Sequence, residues 1–270
     1  MREKTRVKFD KISKSLFGKE VLVAFSGGVD STVLASIAKD NASRVVLLTI
    51  VSPTVPESEV EDAMTIAAEL GLSHTVKSVE WLETENLSEN PENRCYICKR
   101  KLARFWIREA DGLGIDMVIE GTTASETEGY RPGFAALQET GVESPYLVDG
   151  ITKNEIREFA NEKGLSVADK PSGACLATRF PYGTTITKDR LLMVSTVESA
   201  VKELFGVECV RARFHGDLVR IEVGQNELEH MFDAEDLQRL HQIAKESWFT
   251  YITLDIQGYR TGAMDEKLTT

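Results

Sequence analysis

The sequence feature that most constrains the fold is a glycine- and serine-rich string that directly follows a short apolar run. Residues 20–25 (EVLVAF) have the β-branched bias of a buried strand, and Ser26-Gly27-Gly28-Val29-Asp30-Ser31 comes next. A helical apolar pattern begins within the string. Adjacent glycines allow a tight turn and close approach of a ligand, and a helix N-terminus offers N–H groups to an anion. The string therefore predicts a pyrophosphate-binding turn between a strand and a helix.

The polar residues of the string indicate which nucleotide chemistry it suits. Asp30 would repel a bare phosphate, so its carboxylate makes sense beside Mg²⁺, and Ser26 and Ser31 add hydroxyl donors. The Gly-Lys-Ser/Thr ending of a Walker A loop is missing, which excludes that class of nucleotide-binding loop. The alternative is an ordinary glycine-rich turn in which Asp30 only marks a helix start. The complete string after a strand favours the binding interpretation.

Apolar runs and helical patterns alternate along the first two thirds of the chain. Runs typical of strands occupy residues 44–50, 73–79 and 116–120, and amphipathic helical patterns lie between them. This alternation predicts an α/β fold with a parallel sheet, helices on both faces, and ligands at the carboxyl ends of the strands. Thr152 and Glu155 have the spacing of a capping box at the start of a further helix.

A glycine- and proline-rich stretch at residues 171–183 (PSGACLATRFPYG) separates this region from the rest of the chain. We place the domain boundary directly after it, which predicts domains of residues 1–183 and 184–270. The second part has the order strand, helix, strand, strand, helix, strand. The predicted elements lie at 184–187, 188–205, 207–214, 217–223, 227–245 and 248–255. This order predicts a small ferredoxin-like α+β unit.

The composition bears on partners and location. The chain has 270 residues, a net charge of −11 and no basic tract, which argues against general binding to nucleic acids or to membrane surfaces. The N-terminus has no apolar core between charged flanks, and no run approaches the roughly 20 apolar residues of a membrane span. We therefore expect a cytoplasmic protein, in which the four cysteines are not structural disulfides.

Three of the cysteines lie in segments that suit metal or sulfur chemistry. Cys95 and Cys98 form a C-x-x-C pair at the start of a predicted helix, among basic residues that favour thiolates. The pair could be redox-active, half of a zinc site, or merely buried, but the sequence lacks a second pair for structural zinc. Together with Cys175, the pair suits an iron–sulfur cluster with one open iron. Cys209 is interpreted as a packed, non-ligating thiol.

A nucleotide phosphate needs cations, and four arginines are candidates because arginine can bind phosphate through two parallel hydrogen bonds. They are Arg131, Arg179, Arg211 and Arg213. Arg179 follows Cys175 closely in sequence. Arg211 and Arg213 alternate along a predicted strand, so a solvated face is the competing interpretation for these two. The four histidines show no ligand spacing, which argues against a histidine-based hydrolase.

In combination, these segments resemble the LarE family over essentially the whole chain. The resemblance is carried by SGGVDS, NRCYICK, the Cys175 segment, and residues 129–134 (GYRPGF), 179–183 (RFPYG) and 257–264 (QGYRTGAM). SGGVDS alone resembles the PP-loop of ATP pyrophosphatases, which cleave ATP between the α and β phosphates and adenylate a substrate oxygen. The resemblance implies an ATP-dependent sulfur transferase of nickel-pincer nucleotide cofactor synthesis. It also implies a homo-oligomer that assembles partly through the C-terminal domain.

The substrate implied by the resemblance is a pyridinium dicarboxylate mononucleotide. Its carboxylate would attack the α phosphate of MgATP, and sulfur would then displace AMP. In one type within the family, the cysteine matching Cys175 gives up its own sulfur. In the other, cysteines matching Cys95, Cys98 and Cys175 bind a [4Fe-4S] cluster that carries sulfide. All three are present, so we predict the cluster type, supplied by sulfide or another sulfur donor. Glu198 resembles a substrate-site acid, with a surface helix charge as the alternative.

Other functions remain open at this point. An ammonia-dependent adenylating ligase would need the cysteines only as structural residues, and a nucleotide or iron–sulfur sensor would not catalyse at all. A tRNA sulfur-inserting enzyme is disfavoured by the charge of −11 and by the lack of an evident RNA-binding module. The chain also departs from the family pattern, since Thr123 and Ser125 replace an asparagine and one of two acids.

Overall fold

The computed structural model describes residues 1–84, 86–127, 132–171, 173 and 175–260. The chain divides into two compact units. The first unit comprises Met1–Ser52, Glu57–Val79 and Asn93–Gly173. The second unit comprises Pro53–Pro56, Glu80–Glu92 and Ala174–Thr270. The domain limits at residues 183 and 184 stay a prediction.

The first unit is built on a parallel sheet. Its strands are β1 (Glu20–Ala24), β2 (Arg44–Val51), β3 (Ser73–Ser78) and β4 (Met117–Ile119). They lie in the order β3-β2-β1-β4, and each neighbouring pair is parallel. Because parallel strands need crossover connections, the intervening sequence forms helices. The predicted α/β fold with a parallel sheet is confirmed.

Helices pack on both faces of this sheet. They are α1 (Glu3–Leu16), α2 (Val29–Asn41), α3 (Glu57–Leu70), α4 (Arg94–Leu113), α5 (Pro132–Thr140), α6 (Pro145–Val148) and α7 (Lys153–Lys163). Successive side chains of a strand point to opposite faces. Val21 and Val23 of β1 therefore join a core with Phe9 of α1, whereas Leu22 joins a second core with Trp106 of α4. These two apolar layers fix β1, the strand that leads into the glycine-rich string.

The capping box predicted for α7 is present. The Thr152 hydroxyl accepts a hydrogen bond from the Glu155 N–H at 3.4 Å, and the Glu155 carboxylate accepts one from the Thr152 N–H at 2.9 Å. The two bonds satisfy backbone donors that a helix start would leave without partners. Lys153 is the first residue of this helix, so the capping box also fixes the backbone position of Lys153.

The second unit has two longer helices and a small mixed sheet. The helices are α8 (Lys188–Phe205) and α9 (Ala234–Glu246), and short 3-10 turns span Leu176–Arg179 and Leu228–Phe232. The strands are β5 (Val210–His215), β6 (Leu218–Val223) and β7 (Tyr251–Leu254). β5 pairs antiparallel with β6, and β6 pairs parallel with β7. The predicted α+β character of this part is confirmed.

The strand predicted at residues 184–187 is wrong, so the described part of this sheet has three strands and not the four of a ferredoxin-like order. The segment is rich in β-branched residues, but they have other partners. The Thr187 hydroxyl caps α8 by accepting from the Arg190 N–H at 3.2 Å. The buried Ile186 donates its N–H to the Ser88 carbonyl at 2.7 Å. Thr187 and Ile186 thus have side chains typical of a strand, but they form a helix cap and a loop contact.

Within the ranges that the structure describes, no helix is both long enough and apolar enough to cross a bilayer.

Candidate functional site

The glycine turn, residues 26–31, joins β1 to α2 in the first unit. Gly27 has φ of +69°, in the left-handed region that favours glycine. A Cβ at this position would lie 2.6 Å from the Cα of Ala63 in α3. Gly28 is the N-cap of α2 and Val29 its first residue, which is buried. Backbone conformation and the neighbouring helix therefore both require glycine at position 27.

Two serine hydroxyls tie the glycine turn to the first turn of α2. The Ser31 Oγ accepts from the Ser26 N–H at 3.2 Å and donates to the Gly28 carbonyl at 3.2 Å. The two serine Oγ atoms are 3.2 Å apart. The Thr32 N–H donates to the same Gly28 carbonyl at 3.0 Å and begins the helical pattern. The turn is thus held by bonds among neighbours in sequence, as a preformed anion-binding turn requires.

Asp30 projects from the start of α2 with its two carboxylate oxygens in different situations. Oδ2 forms an ion pair with Lys153 Nζ. Oδ1 is buried and has no hydrogen-bond partner among the described residues. A buried carboxylate oxygen is costly without a donor or a cation. Carboxylate oxygens are the ligands that Mg²⁺ prefers, so Asp30 fits a magnesium site by donor type and by its unsatisfied Oδ1.

The buried Tyr146 forms a hydrogen bond to the backbone of Asp30. The Tyr146 hydroxyl donates to the Asp30 backbone carbonyl at 3.1 Å. Burial, and then the negative charge of Asp30, raise the pKa of Tyr146 well above its ordinary value, so the hydroxyl stays a donor. Gly121 approaches from the end of β4, where a Cβ would lie 3.1 Å from the Asp30 Cβ. Asp30 is therefore fixed on two sides by groups distant in sequence.

Two lysines that the sequence analysis did not single out also lie at the glycine turn. The Lys153 N–H donates to Ser125 Oγ at 3.1 Å, and Ser125 is one of the departures from the family pattern. Lys170 Nζ lies 3.5 Å from the Gly27 carbonyl and 2.7 Å from Asp62 Oδ2. Both cations could serve phosphate groups at this turn. The capping box predicted the helix that Lys153 begins, but it did not indicate what the Lys153 side chain contacts.

Cys95 and Cys98 occupy the first turn of α4, three positions apart, and so share one face of the helix. Cys95 is exposed, Cys98 is half-buried, and neither forms a disulfide. Lys99 of the same turn lies 3.2 Å from the buried Glu120 carboxylate. Burial opposes ionisation of Glu120, but the Lys99 charge and hydroxyl hydrogen bonds outweigh it and lower the pKa of Glu120. The cysteine pair is thus solvent-accessible on an anchored helix turn.

The cysteine turn, residues 175–179, lies in the second unit. Cys175 is exposed, whereas Arg179 is only 2% exposed. Arg179 donates through Nε and Nη2 to Glu198 Oε1 and Oε2, at 2.5 and 3.0 Å. Its Nη1 donates to Thr178 Oγ1 at 2.8 Å and to the Cys175 carbonyl at 3.4 Å. Glu198 also accepts from the Ala212 N–H at 2.8 Å, so α8 and β5 both hold the cysteine turn.

Arg211 and Arg213 are buried, so the solvated-face interpretation of β5 is wrong. Arg213 donates through Nε and Nη2 to Glu222 Oε2, at 3.0 and 2.8 Å. The Arg211 guanidinium lies 5.0 Å from the centre of the Tyr259 ring. Burial, and then the positive charge of Arg179, lower the pKa of Arg211. The structure therefore brings three of the four predicted arginines into the second unit, and Arg131 lies outside the described residues.

Cys209 fits its interpretation as a packed thiol. The residue is half-buried and forms no disulfide. Burial raises the pKa of its thiol, which disfavours the thiolate form that metals bind.

Within the described ranges, no group of three or more His, Cys, Asp or Glu side chains is arranged as a metal site. Cys95 and Cys98 belong to the first unit and Cys175 to the second. Their thiols form no disulfides and are the donor type that iron–sulfur clusters use. Each thiol is thus of a suitable donor type, and a cluster held by all three stays a prediction.

Comparison with known proteins agrees with the glycine turn and its sheet. Residues 20–104, which contain the turn and the cysteine pair, match the family described as Queuosine biosynthesis protein QueC. The parallel sheet with this turn after its first strand fits the PP-loop α/β fold of that family, whose members use ATP.

Relatives match nearly the whole chain, and two of them are more than 30% identical to it. One is the pyridinium-3,5-bisthiocarboxylic acid mononucleotide synthase of Lactiplantibacillus plantarum, 32% identical over 93% of this chain and 91% of that one. The other is an uncharacterized protein of Synechocystis, 37% identical over 95% and 96% of the two chains. The tRNA-specific 2-thiouridylase MnmA of Heliobacterium modesticaldum is 32% identical over 56% of this chain and 49% of that protein. The chain belongs to the LarE family, as its motifs implied.

Proposed function

We propose that this protein is an ATP-dependent sulfurtransferase that adenylates a carboxylate of pyridinium-3,5-dicarboxylate mononucleotide and inserts sulfur there. The proposal places it in nickel-pincer cofactor synthesis. Membership of a PP-loop family that includes a bisthiocarboxylic acid mononucleotide synthase supports it. The observation that carries it is the glycine turn, where the buried Asp30 Oδ1 lies at the start of α2.

The adenylation half of the reaction uses the first unit. The N–H groups at the start of α2 would bind the β and γ phosphates of ATP, and Lys153 and Lys170 would add positive charge. Asp30 would hold Mg²⁺, which, when bound, neutralises the phosphates and the leaving pyrophosphate. The substrate carboxylate oxygen attacks the α phosphorus, the α–β phosphoanhydride bond breaks, and an acyl adenylate forms. The role of the chain is to orient the triphosphate and to stabilise its charge.

The sulfur half of the reaction uses the thiols. Cys95, Cys98 and Cys175 would hold a [4Fe-4S] cluster, which, when bound, would supply a sulfide drawn from free sulfide or another donor. The new C–S bond replaces the C–O bond to AMP. Arg179 and Glu198 hold the cysteine turn in place.

The substrate phosphate needs its own cations. Arg131, Arg211 and Arg213 are the proposed contacts. Within the described pair, Arg213 is bound to Glu222, and Arg211 donates to the Val210 carbonyl at 2.7 Å and lies over the Tyr259 ring. We also propose that the active form is a homo-oligomer, on the basis of the family resemblance.

The decisive experiment couples metal analysis to product analysis. Protein purified without oxygen is reconstituted with iron and sulfide, and iron, labile sulfide and zinc are counted. MgATP and the dicarboxylate mononucleotide are then added, and pyrophosphate and thiocarboxylate are measured. We expect about four irons per chain and several turnovers. Cys98→Ser should lose iron and sulfur transfer but keep pyrophosphate release, while Cys209→Ser, the matched control, should behave as the unaltered protein.

Each failure has its own meaning. Pyrophosphate release that does not depend on the mononucleotide would overturn the adenylation step. Product formation limited to one turnover, with sulfur lost from Cys175 by mass spectrometry, would replace the cluster by the sacrificial route. An amide product that requires ammonia, unaffected by serine at all three cysteines, would identify a ligase instead.

A further inference from the structure

A line of charged side chains crosses the sheet of the second unit. Arg213 of β5 binds Glu222 of β6, whose side chain is 1% exposed. On its other side, Glu222 Oε1 lies 3.1 Å from Arg220 Nη2. Arg220 in turn forms an ion pair with Asp255, just after β7. The line alternates in sign, so each charge in it is balanced by its neighbours.

One end of this line reaches the cysteine turn. Arg213 Nη1 donates to the Thr178 carbonyl at 2.9 Å. Thr178 in turn donates twice to the Cys175 carbonyl, from its N–H at 2.9 Å and from its hydroxyl at 2.8 Å. A continuous series of direct hydrogen bonds therefore runs from Glu222, through Arg213 and Thr178, to the backbone of Cys175.

The geometry of Arg213 explains why Glu222 matters to this series. The planar guanidinium presents its donors in a fixed fork, so the direction of one side sets the direction of the other. Glu222 binds Nε and Nη2, which leaves Nη1 aimed at Thr178. An apolar pair could fill the same volume and stabilise the fold as well or better, since burying ions is costly. The charges are therefore best explained by the positions that they impose.

We propose that Glu222 is a positioning residue for Cys175, acting through Arg213. It fixes the direction of the Arg213 guanidinium, which holds the Thr178 carbonyl and with it the turn that presents the Cys175 thiol. The importance of Cys175 for sulfur transfer rests on the proposed function. The positioning itself does not, because it concerns only hydrogen bonds within the second unit.

The test measures the cysteine turn directly, in the full-length protein without ATP, substrate or metal. Hydrogen exchange of the amides at residues 176–180 is compared in the unaltered protein and in Glu222→Gln. We expect the variant to exchange about tenfold faster at these amides, because the turn opens locally once Arg213 is released. The matched control is Arg220→Met, which removes the neighbour on the other side of Glu222 and should leave exchange at residues 176–180 unchanged.

A second measurement uses the reconstituted enzyme. In Glu222→Gln, sulfur transfer should fall about tenfold, while mononucleotide-dependent pyrophosphate release stays within about threefold of the unaltered rate. A general loss of structure would lower both rates together, so the ratio of product to pyrophosphate identifies positioning. Arg220→Met should keep that ratio.

Glu222→Gln leaves the buried Arg213 and the half-buried Arg220 short of a negative charge and can fail to fold. In that case the double variant Arg213→Met/Glu222→Leu, which removes both charges of the pair, takes its place in the hydrogen-exchange measurement. Unchanged exchange at residues 176–180 in whichever variant folds would overturn the proposal. If exchange changes but the unaltered protein transfers no sulfur, the positioning stands and the proposed function fails.

Discussion

The glycine turn and the cysteine turn are both short turns that carry predicted functional groups, but different forces hold them. The glycine turn is fixed by the left-handed Gly27 and by hydrogen bonds between Ser26 and Ser31, five positions apart. The cysteine turn is held by Glu198, 19 positions from Arg179, and by Arg213, 35 positions from Thr178. The backbone at residues 26–28 relies on local geometry, whereas the cysteine turn relies on buried charges from distant elements.

This difference determines what each turn tolerates. A turn held by backbone conformation is sensitive to any side chain that the conformation excludes, but not to the charge of distant residues. A turn held by buried ion pairs is sensitive to loss of a single partner, because the remaining charge stays buried without compensation. Variants of the two turns therefore distinguish backbone conformation from buried charge.

Arg179→Met removes the arginine partner of Glu198 beneath the cysteine turn. Their side chains are 2% and 10% exposed, so the glutamate would remain buried without its cation. We expect a loss of about 3–5 kcal/mol in the free energy of unfolding, measured with urea. The control is Arg239→Met, whose partner Glu235 is 75% exposed and which should lose at most about 1 kcal/mol. Equal losses in the two variants would contradict a buried-charge mechanism.

Gly27→Ala tests the glycine turn in the same way. The added methyl group combines a left-handed φ of +69° with an overlap against the backbone of Ala63. We expect a loss of about 2–4 kcal/mol in the free energy of unfolding, together with loss of ATP binding. Gly18 has the same φ, and a Cβ there would meet nothing within 4 Å. Gly18→Ala should therefore lose only about 1 kcal/mol and keep ATP binding.

A result in which both alanine variants lose the same stability would assign the cost to backbone conformation alone. The close approach of α3 to the glycine turn would then contribute nothing to the free energy of unfolding. The two turns would differ only in that one depends on a left-handed φ and the other on ion pairs.

Features set by residues close together in sequence could be predicted, whereas contacts between distant residues could not. β1, the glycine turn and the capping box of α7 were predictable because each is set by residues within a few positions of one another. The pairing of Arg213 with Glu222 could not be predicted, because it depends on β5 being buried on both faces. The alternating arginines suggested instead that one face of β5 is solvated. The strand predicted at 184–187 was wrong because the β-branched Thr187 caps α8 instead. Lys153 was missed since a capping box does not say what the next side chain contacts.

Asp30→Asn separates charge from shape within the glycine turn. Asparagine keeps the size of the side chain but removes the negative charge proposed to hold Mg²⁺, so pyrophosphate release should fall about 100-fold. Adding more Mg²⁺ should restore part of the rate. The control is Asp40→Asn in the same helix, whose exposed pair with Lys163 should not matter to activity. An unchanged rate in Asp30→Asn would remove magnesium from the role proposed for this residue.

Glu155→Gln tests a local device that, unlike Gly27, responds to pH. Burial opposes ionisation of Glu155, but hydrogen bonds from Lys8 and from the Thr152 N–H outweigh it and lower its pKa from 4.5 to about 2. A depressed pKa stabilises the folded protein above the unfolded pKa, and this stability is lost as pH falls from 4.5 towards about 2. At pH 7 the variant should lose about 1–2 kcal/mol of unfolding free energy.

The difference between Glu155→Gln and the unaltered protein should therefore shrink below pH 4.5 and disappear near pH 2, as measured by urea unfolding across that range. Glu203→Gln, a change at an exposed position of α8, should stay within about 0.5 kcal/mol of the unaltered protein at pH 7. A difference for Glu155→Gln that stayed constant with pH would mean that the box is held by shape alone. In that event the capping box and the glycine turn would both be stabilised by geometry and not by charge.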